Sequence, residues 1–184
     1  MLELRSNGTL SAKGKTLTGY AAIFNSEANL GDFQELIRPG AFAKSLATGF
    51  NIRALYHHQG DALLGTTKGN TLQLREDSHG LAFTLSLPDT SHGRDLAVLV
   101  ERGDVSGCSF GFVVPAGGDR WEQRGAQLVR ELLAVDLREV TLTADPVYSD
   151  TSIALRSRQA FEEARNLDDF IRNPIHIRWL ETCL

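Results

Sequence analysis

Ser109, the histidines and a strand-embedded glutamate are the residues whose types could carry acyl transfer in this chain. Ser109 sits in Gly107-Cys108-Ser109-Phe110-Gly111, and five histidines (His57, His58, His79, His92 and His176) could supply a base. A serine hydroxyl is a weak nucleophile until a base takes its proton. A third group then orients the imidazole and stabilises its charged form.

The five residues around Ser109 match the nucleophile-elbow pattern G-x-S-x-G. That pattern requires a strand, a sharp turn and a helix, with the catalytic histidine later in the chain. Here Phe112-Val113-Val114 continues as strand, and the one histidine after Ser109 is His176, in the tail. An esterase of that type would depend on His176. Read as strand, the segment puts Ser109, Gly111 and Val113 on one face and Cys108, Phe110 and Phe112 on the other. The second set is a core face, which argues against Cys108 as nucleophile. Ser109 is then expected on a glycine-lined surface with room for a substrate, although a solvent-facing strand serine would look the same.

His79 falls in a turn and His92 at a helix start. His57 and His58 end a strand candidate, Asn51 to His58, where only one of the pair can face a given side. Either could equally be a partly buried histidine satisfied by backbone. Carboxylates for the third role lie in Val135-Asp136-Leu137-Arg138-Glu139-Val140-Thr141-Leu142. Glu139 is flanked by strand residues, where a carboxylate is not expected without a partner. Asp136 is expected one register off, on the opposite face. Asp145, before Pro146, reads as a turn residue. Any of these could also be an edge-strand charge that deters aggregation.

These residues need a scaffold. The chain has 184 residues, 42% of them apolar and 23% charged, enough for one domain with a real core. The net charge of −4 offers no basic excess for nucleic acid. No apolar run approaches the ~20 residues that span a bilayer. Cys108 and Cys183 suggest neither a disulfide framework nor a metal site, and no cofactor motif stands out.

Thr16 to Asn25 reads as a strand in which Gly19 marks a bulge or a close backbone approach. A short helix is expected at Pro39 to Leu46. Thr71 to Arg75 and Leu81 to Leu87 alternate with period 2 and form a hairpin. A helix carrying Leu96, Leu99 and Val100 is capped by Asp89, Thr90 or Ser91 and stopped by Gly103. Val105 to Val114, Gln127 to Val135 and Leu137 to Leu142 are further strands. From Arg158 the pattern turns helical, with Phe161, Ala164, Leu167 and Ile171 on one face. The expected fold is α+β, mainly β: a mostly antiparallel barrel with a few helices, divided into residues 1–157 and a helical tail, 158–184.

Seven elements between Leu17 and Leu142, taken in order, resemble the prohead protease family of tailed phages. Leu17 to Asn25 is similar to its "LTGYAAVFN" start, and Ile37 to Phe42 to "I-x-PGAF". Leu55-Tyr56-His57-His58 resembles "LFNHD", and Gly65-Thr66-Thr67 the "G-x-T" that follows. Leu87 to Thr90 with Gly93-Arg94-Asp95 looks like "LPDT…GRD". Gly103 to Phe112 is similar to "GDVSGMSFGF", and Leu137 to Leu142 to "L-x-EVSL".

The resemblance implies a fold similar to the herpesvirus capsid-maturation protease. It places the family histidine on His58 and the nucleophile on Ser109. Cys108 falls where methionine is common, and Gln59 replaces the family's aspartate. The herpesvirus enzymes use a second histidine as third member. No histidine follows Ser109 near that place, so Glu139 is the candidate. Backbone N–H groups near Ser109 or Arg138 are candidate oxyanion donors. The implied activity is a serine endopeptidase that cuts the capsid protein's scaffold segment and itself, inside the procapsid in the host cytoplasm. Self-association is expected from the same likeness, with the tail either pairing with another copy or packing on the barrel. A non-catalytic assembly module with the same fold is the alternative.

Overall fold

The alternating segments become strands in a computed structural model that describes residues 2–144 together with Glu162, Glu163 and Arg165. In chain order the strands and helices are β1 (Glu3–Lys13), β2 (Thr16–Ile23), β3 (Ala28–Asn29), β4 (Gln34–Ile37), α1 (Ala43–Ala47), β5 (Arg53–Tyr56), β6 (Gln59–Thr66), β7 (Leu72–Glu76), β8 (Gly80–Ser86), α2 (Ser91–Arg102), β9 (Gly107–Val113), β10 (Asp119–Arg124), β11 (Gln127–Leu132) and β12 (Asp136–Thr143).

Eight strands form one sheet in the order β6-β5-β12-β9-β1-β2-β8-β7, and four form a second, β10-β11-β4-β3. The edge strands of the larger sheet, β6 and β7, are consecutive in the chain. Thr71 N–H donates to the Thr66 carbonyl at 3.2 Å across the turn between them, so the sheet curls into a nearly closed barrel. The expected class holds, but the pairing is mixed: β12 runs parallel to β5, and β11 parallel to β4.

The sheet order explains why the nucleophile segment is central. Strand β9 lies between β12 and β1 and is paired antiparallel to both. Its Cys108, Phe110 and Phe112 are fully buried in the core, as the alternation predicts. Phe42, at the start of α1, packs edge-on against Phe110 at 5.5 Å between ring centroids. Helix α2 begins at Thr90, whose hydroxyl accepts from Gly93 N–H, and ends at Gly103 with φ +82°, the left-handed stop that glycine adopts freely. Gly19 is a close approach as expected. A Cβ there would sit 1.9 Å from the Thr9 carbonyl oxygen of the paired strand.

Strands β4, β6 and β10 carry no simple alternation, and that of β1 is confined to residues 9–13. In β1 the reason is visible: Glu3 and Arg5 point inward and are 0% and 3% exposed. Glu3 and Arg5 meet Glu35 of β4, Arg130 of β11 and Asp119 of β10 in a paired ionic network between the two sheets. Charged residues that look solvent-facing in the sequence are here core residues.

Chain contacts divide the protein into two units, Met1–Ser149 and Asp150–Leu184. Asp145, His176, Cys183 and most of the expected tail helix lie outside the described residues; Glu162, Glu163 and Arg165 are helical. Among the described residues no helix is long and apolar enough to cross a membrane.

Candidate active site

Strand β5 and strand β6 are joined by two residues only, with Tyr56 paired to Gln59. The two are His57 and His58, with φ of +50° and +58°. Left-handed φ at both central residues is what a type I′ hairpin requires. Histidine tolerates this region better than most side chains, at a cost of about 1 kcal/mol each. The strand expected over Asn51 to His58 therefore ends at Tyr56. The pair separates because it turns a corner, not because strand faces alternate.

The corner sends the rings to different partners. His57 Nδ1 lies 3.1 Å from Thr143 Oγ1, and its ring leans on Tyr56. His58 Nδ1 lies 2.7 Å from Glu139 Oε1, and its Nε2 3.1 Å from Ser109 Oγ. A neutral imidazole with its hydrogen on Nδ1 satisfies both contacts: it donates to Glu139 and accepts from Ser109.

Glu139 reaches this position through a bulge. Strand β12 slips against β9 between Leu137 and Glu139, so Glu139 faces Gly111. The Leu137 N–H donates to Ser45 Oγ of α1 at 2.9 Å, which anchors the irregular segment. Gly111 supplies the space: a Cβ there would lie 2.7 Å from Glu139 Cγ. The glycine expected to make room for a substrate instead makes room for the acid. Glu139 is 3% exposed, and its second oxygen is 3.4 Å from Arg53 Nη2.

The same bulge corrects the expectation for Asp136. With Arg138 as the extra residue, Asp136 faces Val113, on the Gly111 face rather than the opposite one. It is nevertheless one pair further from Ser109, and its carboxylate lies 3.7 Å from Arg138.

Ser109 is fully buried. Besides His58, its Oγ lies 2.8 Å from the Arg5 carbonyl oxygen on β1. One hydroxyl proton thus has two acceptors. Its strand neighbours on this face are Ser6 of β1 and Thr141 of β12. Ser6 Oγ donates to the Cys108 carbonyl at 2.9 Å. The Thr141 hydroxyl, also buried, has no hydrogen-bond partner among the described residues. Burial pushes the Cys108 thiol well above its usual range, so it stays protonated in the core.

Ser109, His58 and Glu139 are therefore brought together, and His57, His79 and His92 are not. Strand β9 continues as strand past Gly111, so the elbow context is absent. Sequence reasoning missed the Arg5 carbonyl, Arg53 and Thr141. Thr141 was within reach of period 2, two residues beyond Glu139 on the same face.

No curated protein matches the chain. A solved structure of the bacteriophage T4 capsid assembly protease, gp21, is similar with a TM-score of 0.53, at 10% identity over 79% of this chain and 98% of that one. That likeness concerns the fold alone. The caudovirus prohead serine protease family matches residues 1–166, taking in the barrel, the histidine turn and the serine strand alike, and the chain belongs to that family.

Proposed function

We propose that the chain is a serine endopeptidase with Ser109 as nucleophile, His58 as general base and acid, and Glu139 as the group that holds the imidazole. The observation that carries this reading is His58 bridging Ser109 at 3.1 Å and Glu139 at 2.7 Å through its two nitrogens. Ser109 Oγ attacks the scissile carbonyl carbon as its proton passes to His58 Nε2. The C–O bond forms, and the carbonyl π electrons move onto oxygen. The intermediate collapses as His58 gives the proton to the leaving amine and the C–N bond breaks. Water, deprotonated by His58, then releases the acyl group from Ser109. Glu139 keeps the Nδ1 hydrogen in place and stabilises the imidazolium.

Family membership supports the capsid protein's scaffold segment and the protease itself as substrates, inside the procapsid in the host cytoplasm. Self-association is part of the same proposal, with residues 1–157 as the protease and 158–184 as a tail that is processed or pairs with another copy. The test is cleavage of purified capsid protein by the full chain and by Ser109→Ala. The wild type should cut and the variant lose activity by on the order of 10⁶; equal rates would remove Ser109 from the mechanism.

The full burial of Ser109 favours a second reading, an assembly module that keeps the fold without turnover. Absence of cleavage by both forms, even after assembly with capsid protein, would establish it.

A further inference from the structure

A serine attack places negative charge on the former carbonyl oxygen, and that charge needs hydrogen-bond donors. The groups around Ser109 Oγ are otherwise acceptors. His58 Nε2 accepts the proton, the Arg5 backbone presents a carbonyl, and Glu139 presents a carboxylate. The buried hydroxyls on this face of the adjoining strands β1 and β12 are Ser6, Thr141 and Thr143. Ser6 is committed to the Cys108 carbonyl and Thr143 to His57. Thr141 stands directly across from Ser109 on the neighbouring strand, fully buried, with its hydroxyl unpartnered among the described residues.

An unpartnered buried hydroxyl is destabilising, and such groups are rare enough to call for a cause. Side chains directly opposite in an antiparallel pair have Cβ atoms within about 5.5 Å. A threonine is also stiff about χ1, so its hydroxyl direction is set by the backbone before any ligand arrives. We infer that Thr141 is a further catalytic residue: its hydroxyl donates to the oxyanion formed on the substrate carbonyl when Ser109 attacks. This role rests on the protease reading above and extends it. The hydroxyl has no partner among the described residues because its partner is the transition state. A donor held ready in this way needs no reorganisation when charge develops.

The inference predicts two effects of opposite sign from one substitution. Thr141→Val removes the hydroxyl and keeps the branched shape. Acylation of Ser109 should slow by roughly 10²-fold, the usual loss for one oxyanion donor. It is read both by cleavage of capsid protein and by labelling with a fluorophosphonate. The melting temperature should hold or rise, since the unpaired group is gone. Thr141→Ser should recover most of the rate. Thr141→Ala, set against Thr141→Ser, gives the same comparison if the valine variant does not fold.

Acylation by Thr141→Val at the wild-type rate overturns the inference. So does normal acylation with slow deacylation alone, which would assign the hydroxyl to the incoming water. If wild-type chain neither cleaves nor is labelled, the protease reading falls and this one with it. Wild-type turnover with no change in Thr141→Val removes only the role of Thr141.

Discussion

Two buried polar clusters lie on opposite faces of β1 and β9, and they are built differently. On one face, Glu3, Arg5, Glu35, Arg130 and Asp119 tie the barrel to the smaller sheet. Both oxygens of Glu3 and of Glu35 accept from arginines, and the Arg130 Nε donates to Asp119. Arg5 and Arg130 also lie over the rings of Phe112 and Trp121. On the other face, Ser109 has one proton and two acceptors, and the Thr141 hydroxyl has no partner among the described residues. A completed network fixes one arrangement of the chain. An incomplete one leaves capacity for a substrate and for proton movement. The difference in pairing, more than burial or charge, separates the framework from the candidate site.

Substitutions in each cluster should therefore fail in different ways. Among substitutions that leave Ser109 in place, the largest effect is expected at Glu139→Gln. The amide preserves the shape but lets the imidazole take the wrong tautomer, and the cleavage rate should fall by about 10⁴-fold with little change in melting temperature. A large loss of stability with normal turnover would instead make Glu139 a framework residue.

Arg130→Ala should act in the reverse sense. It removes the donor to Glu3 Oε1 and leaves the buried Glu3 and Glu35 carboxylates to share Arg5, at a cost of about 3–5 kcal/mol in denaturant unfolding. The folded fraction should still be labelled at Ser109 at the normal rate. Loss of labelling with full stability would merge the two clusters into one.

Gly111→Ala should show both effects in moderation. The new Cβ meets Glu139 Cγ at 2.7 Å, so either the acid arm or the strand must shift. Overpacking of this kind costs about 1–3 kcal/mol, and displacing the acid should slow cleavage by about 10²-fold. Wild-type kinetics would show that Glu139 does not depend on the gap.

The smallest effect is expected from a third polar group. Glu131 is buried beneath Arg38, Arg120 and Arg124. Hydrogen bonding from Arg38 first, then from Arg120 and Arg124, outweighs burial and holds its carboxyl down to about 2. A lowered carboxyl stabilises the fold above its unfolded value, and that contribution is lost as pH falls through about 2. The melting temperature of Glu131→Gln should lie below wild type at pH 6, and the two should converge toward pH 2. A constant gap across that range would contradict the assignment.

Much of this was legible in the sequence, for identifiable reasons. The face division of β9 followed from apolar Cys108, Phe110 and Phe112 alternating with Ser109 and Gly111. A cap among Asp89, Thr90 and Ser91, the stop at Gly103 and the hairpin of β7 and β8 followed from local chemistry; the structure selects Thr90. His58 was separable from His57 only through family likeness, because a strand reading offered the wrong geometry for both. Strand β1 escaped detection because Glu3 and Arg5 find their partners on β4 and β11, far along the chain. Asp136 was placed on the wrong face because a bulge at Arg138 leaves no mark in the alternation. Local patterns reveal local structure; buried charge pairs and register slips depend on residues brought together only by the fold.

The two residues that close the β5–β6 hairpin are the histidines themselves. A loop there would let the imidazole be delivered at leisure; a two-residue corner does not. The base stands over the serine only when both strands are zipped to the end, with Tyr56 against Gln59. On the proposed chemistry, a nascent or partly folded chain thus holds a serine and an acid but no base between them. The hairpin acts as a safety catch: on the proposed chemistry, hydrolytic competence requires the corner to be closed, and a chain in which it stays open has no base in place.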